Sequence, residues 1–446
     1  MSIVYASLNH PLRVPLAAEA HSRPFLHLTA PESLTHFAVY LRDQTDANCH
    51  GVFQHTLLAD LCLHFGVTAP GTDAKHFFHD FGGFRLKWEC HTEFSTYTFS
   101  QRHAVTLSTD EAFVEVPLKQ VPQQWLLALQ GHVMVAAHVV LERAGAGDIA
   151  EFSRLFEGKL LSSSKVLQGG EIWTDFLIQA DGFSRFVVRD LDLRDMQGGR
   201  LVQRILEIET YRMMALLGLP HAQQAAPVLN AIENDLATLT AAMVDADHDV
   251  HGAVVNADEE QVLHRITGLA ARIEKMSLQN SYRFSASQAY FRLVKARIEE
   301  LRESRVEGVP TIGEFMERRL APAMDTCASI ARRQEALAER IAHTNDLLRT
   351  RIGIVQEQQN RKILESMNAR AAQQFRLQQA VEGLSVAAIS YYMVGLFGYL
   401  GKALKGLGVP INPDISTGLM VPVFAIFVWL GLRRLHKSMH GARHHL

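Results

Sequence analysis

Histidine, lysine and carboxylate side chains near residue 90 form the best polar constellation in the chain. Lys87, Glu89, His91 and Glu93 alternate with Leu86, Trp88, Cys90 and Phe94, so a strand over Arg85–Ser100 carries them as one solvent-facing row. Paired carboxylates around an imidazole are the groups of general acid–base chemistry, which makes Glu89, His91 and Glu93 the candidate catalytic residues. His76 and His79, a few residues upstream, would join His91 and Glu93 in a His/carboxylate metal site. Neither HExxH nor a Cys/His metal spacing is present, so the sequence assigns no metal, and an alternating charged strand face is usually just hydrated.

A second cluster, Glu19, His21 and Arg23, stands just before Pro24. The Arg23 guanidinium can clamp a carboxylate or phosphate through two hydrogen bonds, so these three are candidate ligand-binding residues; a structural salt bridge is the plainer use. Gly82-Gly83 and Gly198-Gly199 read as loop glycines, since neither pair has GxGxxG or GxxxxGK[ST] around it. No motif calls for a cofactor. His436, His440, His444 and His445 put two imidazoles on one face of a terminal helix, where a frayed end is the bland reading.

The elements that must position these residues divide the chain. Residues 1–195 read as an α+β domain with an antiparallel or mixed sheet. Ser33 or Thr35 would cap a helix through about Leu41, and an amphipathic helix follows from about Ala47 to Phe65. Val133–Leu141 has the apolar, β-branched look of a buried strand. Glu171–Ala180 and Phe183–Arg189 flank Asp181-Gly182, a hairpin signal. Beyond about Gly199 the pattern is helical: a helical domain over 196–322, broken at Gly218/Pro220 and Gly308/Pro310, then a long stalk helix over 323–382. Ile330, Leu337, Ile341, Leu348, Ile352, Ile363, Met367 and Phe375 recur at spacings of three, four and seven, an apolar stripe that a lone rod cannot bury. An antiparallel neighbour or copies from other subunits would cover it.

Two apolar runs follow. Gly383–Gly401 holds no ionisable group except tyrosines, and Ile415–Leu432 holds none. Each makes a rod of roughly 27–28 Å, against ~30 Å of bilayer hydrocarbon. They read as a transmembrane hairpin with helices at 383–404 and 415–432 and a tail at 433–446. Arg370, Arg376, Arg433, Arg434 and Lys437 flank the pair, while Lys402, Lys405 and Asp414 lie between, so both ends are expected on the cytoplasmic side. Ser390, Tyr391, Gly395, Gly398 and Gly401 are the candidate packing residues, with small groups allowing close approach and hydroxyls bonding across it.

Composition bounds the partners. The net charge of −3 over 446 residues, with no basic run outside the membrane flanks, argues against nucleic acid. The scattered cysteines Cys49, Cys62, Cys90 and Cys327 suit a reducing compartment. MSIVYASLNHPLRVPLAAEA has no basic n-region or uninterrupted apolar core, so no secretory signal is expected.

Four separated stretches, NHPLRVPLAAEAHSRP, FRLKWECHTEFSTYTF, LEIETYRMMALLGLP and QQNRKILESMNARAAQQFRLQQAVEGLSVAAISYY, together resemble a bacterial family of membrane-anchored proteins of unknown function. The resemblance implies an anchor in the bacterial inner membrane and no known activity. In layout the chain is also distantly similar to CorA-type divalent-cation channels, with a cytoplasmic α/β domain, a stalk and two spans. Those channels carry Gly-Met-Asn after the first span; here the place reads Gly401-Lys402-Ala403, and a ring of Lys402 and Lys405 would repel cations. The sequence therefore leads to a membrane-held binding or scaffold protein, a homo-oligomer with an unidentified cytoplasmic partner or ligand. The alternatives are a CorA-like channel or transporter, and a metal-dependent enzyme using the His91/Glu89/Glu93 row.

Overall fold

The structure, a computed structural model, describes the chain except residues 1–7, 15, 18–23, 41–46, 109–110, 144–152, 159–160, 249–256, 407–411 and 442–446. Two compact units share it: residues 1–243 with 265–344, and residues 244–264 with 345–446.

The first unit is built on nine strands in the order β2-β3-β4-β1-β5-β8-β7-β6-β9. These are β1 (Glu32–Tyr40), β2 (His76–Asp80), β3 (Arg85–Cys90), β4 (Phe94–Arg102), β5 (Val133–Arg143), β6 (Ser162–Val166), β7 (Gly170–Thr174), β8 (Ser184–Asp190) and β9 (Ser304–Arg305). Every pairing is antiparallel except β5 with β8, so the sheet is mixed.

The helix expected from Ser33 or Thr35 to Leu41 is instead β1, paired with β4 on one side and β5 on the other. Its residues alternate between two covered faces, so it lacks the one-sided stripe of an amphipathic element. Phe37 and Val39 enter one core with Trp88, Tyr97 and Phe99, under helices α1 (Ala47–His64) and α2 (Gln123–Ala128). Leu34, His36 and Ala38 point to the other face. The single strand expected over Arg85–Ser100 is two, β3 and β4, joined by a short connection at 91–93. Val133–Leu141 is strand β5 as expected, and Asp181-Gly182 sits at the turn before β8, with Gly182 at φ 87°.

Helix α3 (Gln197–Leu216) lies over the second face of the sheet. Gly198 and Gly199, expected in a loop, are buried in its first turn. A Cβ on Gly199 would collide with the Leu26 carbonyl oxygen, so glycine is what lets the segment Leu26–Leu28 cross the helix there. Helices α4 (Gly218–His248), α5 (Ala257–Leu301), α6 (Ile312–Arg319) and α7 (Ala321–Gly406) follow. Leu229, Ile232, Leu236 and Leu239 of α4 are buried, as are Ile266, Leu269, Ile273 and Met276 of α5, each set at helical spacing. Polar ties join these helices to the start of α7: Gln334 Nε2 donates to Ser277 Oγ at 2.8 Å, and Arg333 pairs with Glu233 at 2.8 Å. Helix α6 begins with a reciprocal capping box between Thr311 and Glu314.

In the second unit, α7 carries the first apolar run. It is the one described helix long and apolar enough to cross a membrane, and almost none of that stretch is buried. Leu384, Leu396 and Leu400 are exposed, as are Ile363, Met367 and Phe375 before them. Helix α8 (Pro413–Gly441) carries the second run as a shorter apolar segment, Thr417–Gly431, with Pro422 inside it. Two equal spans are therefore not established; one apolar helix is. Of the expected packing residues, Gly398 approaches α8, where a Cβ would lie 3.5 Å from Thr417 Oγ1. Nothing stands within 4 Å of a Cβ on Gly395, Tyr391 is exposed, Ser390 is buried and Gly401 is half-buried. The Phe397 and Phe424 rings meet at 5.7 Å.

Candidate functional site: a covered polar cavity

Strand register assembles a polar floor on the α3 face of the sheet. His36 of β1 is paired with Thr98 of β4, and Thr98 is paired in turn with Lys87 of β3. One step along, Ala38, Thr96 and Glu89 are aligned in the same way. Because alternate residues share a face, His36, Thr98, Lys87, Thr96 and Glu89 all rise from one patch. The roof comes from α3, whose Gly199, Val202, Gln203, Leu206, Glu207, Thr210 and Tyr211 recur at spacings of three and four. Leu26 and Leu28 close one side, and Arg297 of α5 reaches in from another. Between floor and roof lies a cavity of about 220 Å³.

His36 is locked at the bottom of it. Its Nδ1 lies 2.9 Å from Thr98 Oγ1 and its Nε2 3.1 Å from Thr210 Oγ1, so the imidazole bridges floor and roof. Burial, with lesser help from the charges of Lys87 and His91, lowers its pKa to about 3, so it is a neutral imidazole at ordinary pH. One ring nitrogen then donates and the other accepts.

A continuous polar relay crosses the roof. Lys87 Nζ, with its side chain only 7 % exposed, lies 3.1 Å from Glu89 Oε1 and donates to Gln203 Oε1 at 3.3 Å. Gln203 Nε2 donates to Glu207 Oε1 at 2.7 Å, and Arg297 pairs with the other oxygen of Glu207. Arg297 Nη1 donates to Glu300 Oε1 at 2.6 Å, and Arg204 Nε donates to Glu300 Oε2 at 2.8 Å. Burial opposes the charge on Arg297, but the Glu207 carboxylate outweighs it and raises the guanidinium pKa. A second, more open cavity shares Gln203, Glu207 and Arg297 and adds Phe25, Arg200, Arg204 and Glu300.

The row expected to face solvent is thus redistributed. Lys87 and Glu89 sit beneath a helix, and His91 lines the cavity with its ring stacked on Phe94 at 4.5 Å. Glu93 leaves the row altogether: both its oxygens accept from Arg283 Nη2, at 2.8 and 2.9 Å, in a buried pair. Of the expected Glu89/His91/Glu93 row, Glu89 and His91 line the cavity together while Glu93 is held by Arg283, and among the described residues no three His, Cys, Asp or Glu side chains gather to hold a metal ion. His76 and His79 are on edge strand β2, paired opposite Glu89 and Leu86. Glu19, His21 and Arg23 lie outside the described residues, as do His444 and His445.

Sequence reasoning missed His36, Thr96, Thr98, Gln203, Glu207, Thr210, Tyr211 and Arg297. The available signal was in α3, where Gln203, Glu207 and Thr210 interrupt a face that Val202 and Leu206 mark as buried.

The molecule is thus an α+β protein with a mixed sheet roofed by a helix around a polar cavity, continued by long helices of which one is apolar enough for a membrane. It belongs to the family described as protein of unknown function (DUF3422), whose model matches residues 8–439. None of the curated proteins compared matches it. Among solved structures the full-length CmaX protein is similar at 14% identity, over 68% of this chain and 89% of that one, with a TM-score of 0.16. A likeness that slight carries no fold assignment, and the expected CorA-like layout finds no support in these comparisons.

Proposed function

We propose that this protein is a membrane-held binding protein whose α+β unit takes up a small polar ligand between the sheet and α3. The observation that carries this reading is the cavity floor. Five polar side chains from three strands converge there, with His36, Lys87, Thr96 and Thr98 all buried, in a space far larger than the ~10–15 Å³ one water occupies. Burying polar groups costs stability unless they are paired, so a packed apolar interface would be the cheaper way to join helix to sheet. A convergent polar lining in a concave, partly apolar site is the usual form of a ligand pocket.

The exposed apolar run of α7 supports a bilayer as the second partner, because such a surface is costly in water. The arginines flanking both apolar runs support a return by α8, with both chain ends in the cytoplasm at the bacterial inner membrane. Exposed Ile363, Met367 and Phe375 support self-association of α7 in a homo-oligomer.

The test is a thermal-shift screen of the purified full chain in mild detergent against a library of small polar metabolites. Saturating ligand at a hundred times its Kd should stabilise the native state by about 2.7 kcal/mol, a shift of several degrees. A library that leaves the transition unmoved removes the reading.

A further inference from the structure

We propose that the cavity selects an uncharged, polyhydroxylated ligand, of the sugar or polyol class, over small ions. This rests on the small-molecule reading above and specifies its chemistry. Lys87 is matched by Glu89 and Arg297 by Glu207, so the titratable pairs cancel within the protein. The imidazole of His36 adds no charge, being neutral and bonded on both nitrogens. Apart from the His91 imidazole, which stacks on Phe94, the lining offers an incoming anion or cation no unmatched counter-charge, and the ion would leave water to enter.

Hydrogen-bonding capacity, by contrast, is left over. An ammonium has three donors, and Lys87 has two partners among the described residues, Glu89 and Gln203. Glu89 engages that ammonium through Oε1, and its Oε2 has no partner among the described residues. Whichever threonine hydroxyl accepts from His36 keeps its own O–H to donate. A spare donor beside a spare acceptor, with a hydroxyl on the neighbouring strand or on α3, is the complement of vicinal hydroxyl groups, each of which can both donate and accept. The Phe94 ring and Leu26, Leu28, Val202 and Leu206 offer apolar contact to the C–H faces of the same molecule.

Isothermal titration of the full chain in detergent would use D-ribose, D-glucose and myo-inositol as neutral probes and acetate, inorganic phosphate and methylammonium as charged ones. At least one neutral probe should bind and the charged ones should not. Glu89→Gln removes an anion and leaves Lys87 unmatched, so that variant should lose about tenfold in neutral-probe affinity, the cost of one good hydrogen bond, and should gain acetate or phosphate binding. Charged probes binding wild type as tightly as neutral ones would overturn the ligand class while leaving small-molecule binding intact. No neutral probe binding, with Lys87 and Glu89 satisfied by ordered water only, would overturn it too. The wild-type comparison decides the matter even if the variant fails to fold.

Discussion

The burial of His36 makes the α+β unit acid-sensitive, and the structure sets the size of the effect. The ring is 4 % exposed and its pKa is lowered to about 3 from an ordinary 6.5, first by desolvation and then by the charges of Lys87 and His91. The unfolded chain therefore takes up this proton first as pH falls. Stability is complete above about pH 6.5 and is lost progressively between there and about pH 3. At ~1.36 kcal/mol per pH unit, the loss reaches about 2.7 kcal/mol near pH 4.5. His36→Leu removes the titration together with the two hydrogen bonds to Thr98 and Thr210, a cost of about 1–3 kcal/mol at neutral pH. Wild type should then be the more stable protein at about pH 7.5, and the two curves should cross near about pH 5, below which the variant wins. His138, on the other face and also lowered, to about 4, is common to both proteins and cancels in the difference. Urea unfolding followed by the fluorescence of buried Trp88, Trp125 and Trp173 measures both curves. A stability gap that stays constant from about pH 7.5 to 4.5 would refute the reasoning.

Three further outcomes follow from the same geometry. Gly199→Ala should destabilise by about 1–3 kcal/mol, because its Cβ meets the Leu26 backbone and something must move; urea midpoints measure it. Glu93→Ala should cost about 3–5 kcal/mol by leaving the buried Arg283 guanidinium without its carboxylate, yet leave ligand affinity unchanged in a chain that still folds, since Glu93 does not line the cavity. Leu396→Asp in the apolar run of α7 should weaken membrane association, at ~2.5–3.5 kcal/mol for a charge at mid-bilayer, seen as protein moving from membrane pellet to supernatant.

Much of the architecture is legible in the sequence wherever one periodicity dominates. Helices α1 and α3 and the long α7 show in their apolar spacing, and β5 in its β-branched run. The misreadings have specific causes. Strand β1 is covered on both faces and opens with Ser33 and Thr35, residues that also cap helices, so local signals favoured the wrong element until β4 and β5 paired with it. The alternation of Leu86 and Trp88 with Lys87 and Glu89 correctly separates two faces, although Phe94, beyond the turn, falls on the polar side with His91, and nothing local says that a helix 110 or so residues downstream covers that side. The turn at 91–93 contains neither Gly nor Pro, so two strands looked like one.

The site was the least legible part because its bonds are long in sequence. Lys87 reaches Gln203, and His36 reaches Thr210, across separations of 116 and 174 residues. Each partner taken alone is an ordinary polar residue on an ordinary element. The one local hint, polar Gln203, Glu207 and Thr210 on the buried face of α3, becomes informative only when read as a departure from the helix's own apolar stripe.

Blocking the cavity tests the central claim most directly. Val202→Trp places an indole from the roof of α3 into the space above Lys87 and Thr98, and circular dichroism checks that the fold survives. For a compound that shifts the wild-type melting transition, calorimetric affinity should fall at least a hundredfold in the folded variant, about 2.7 kcal/mol. Equal affinity in both proteins would place binding elsewhere and contradict the account.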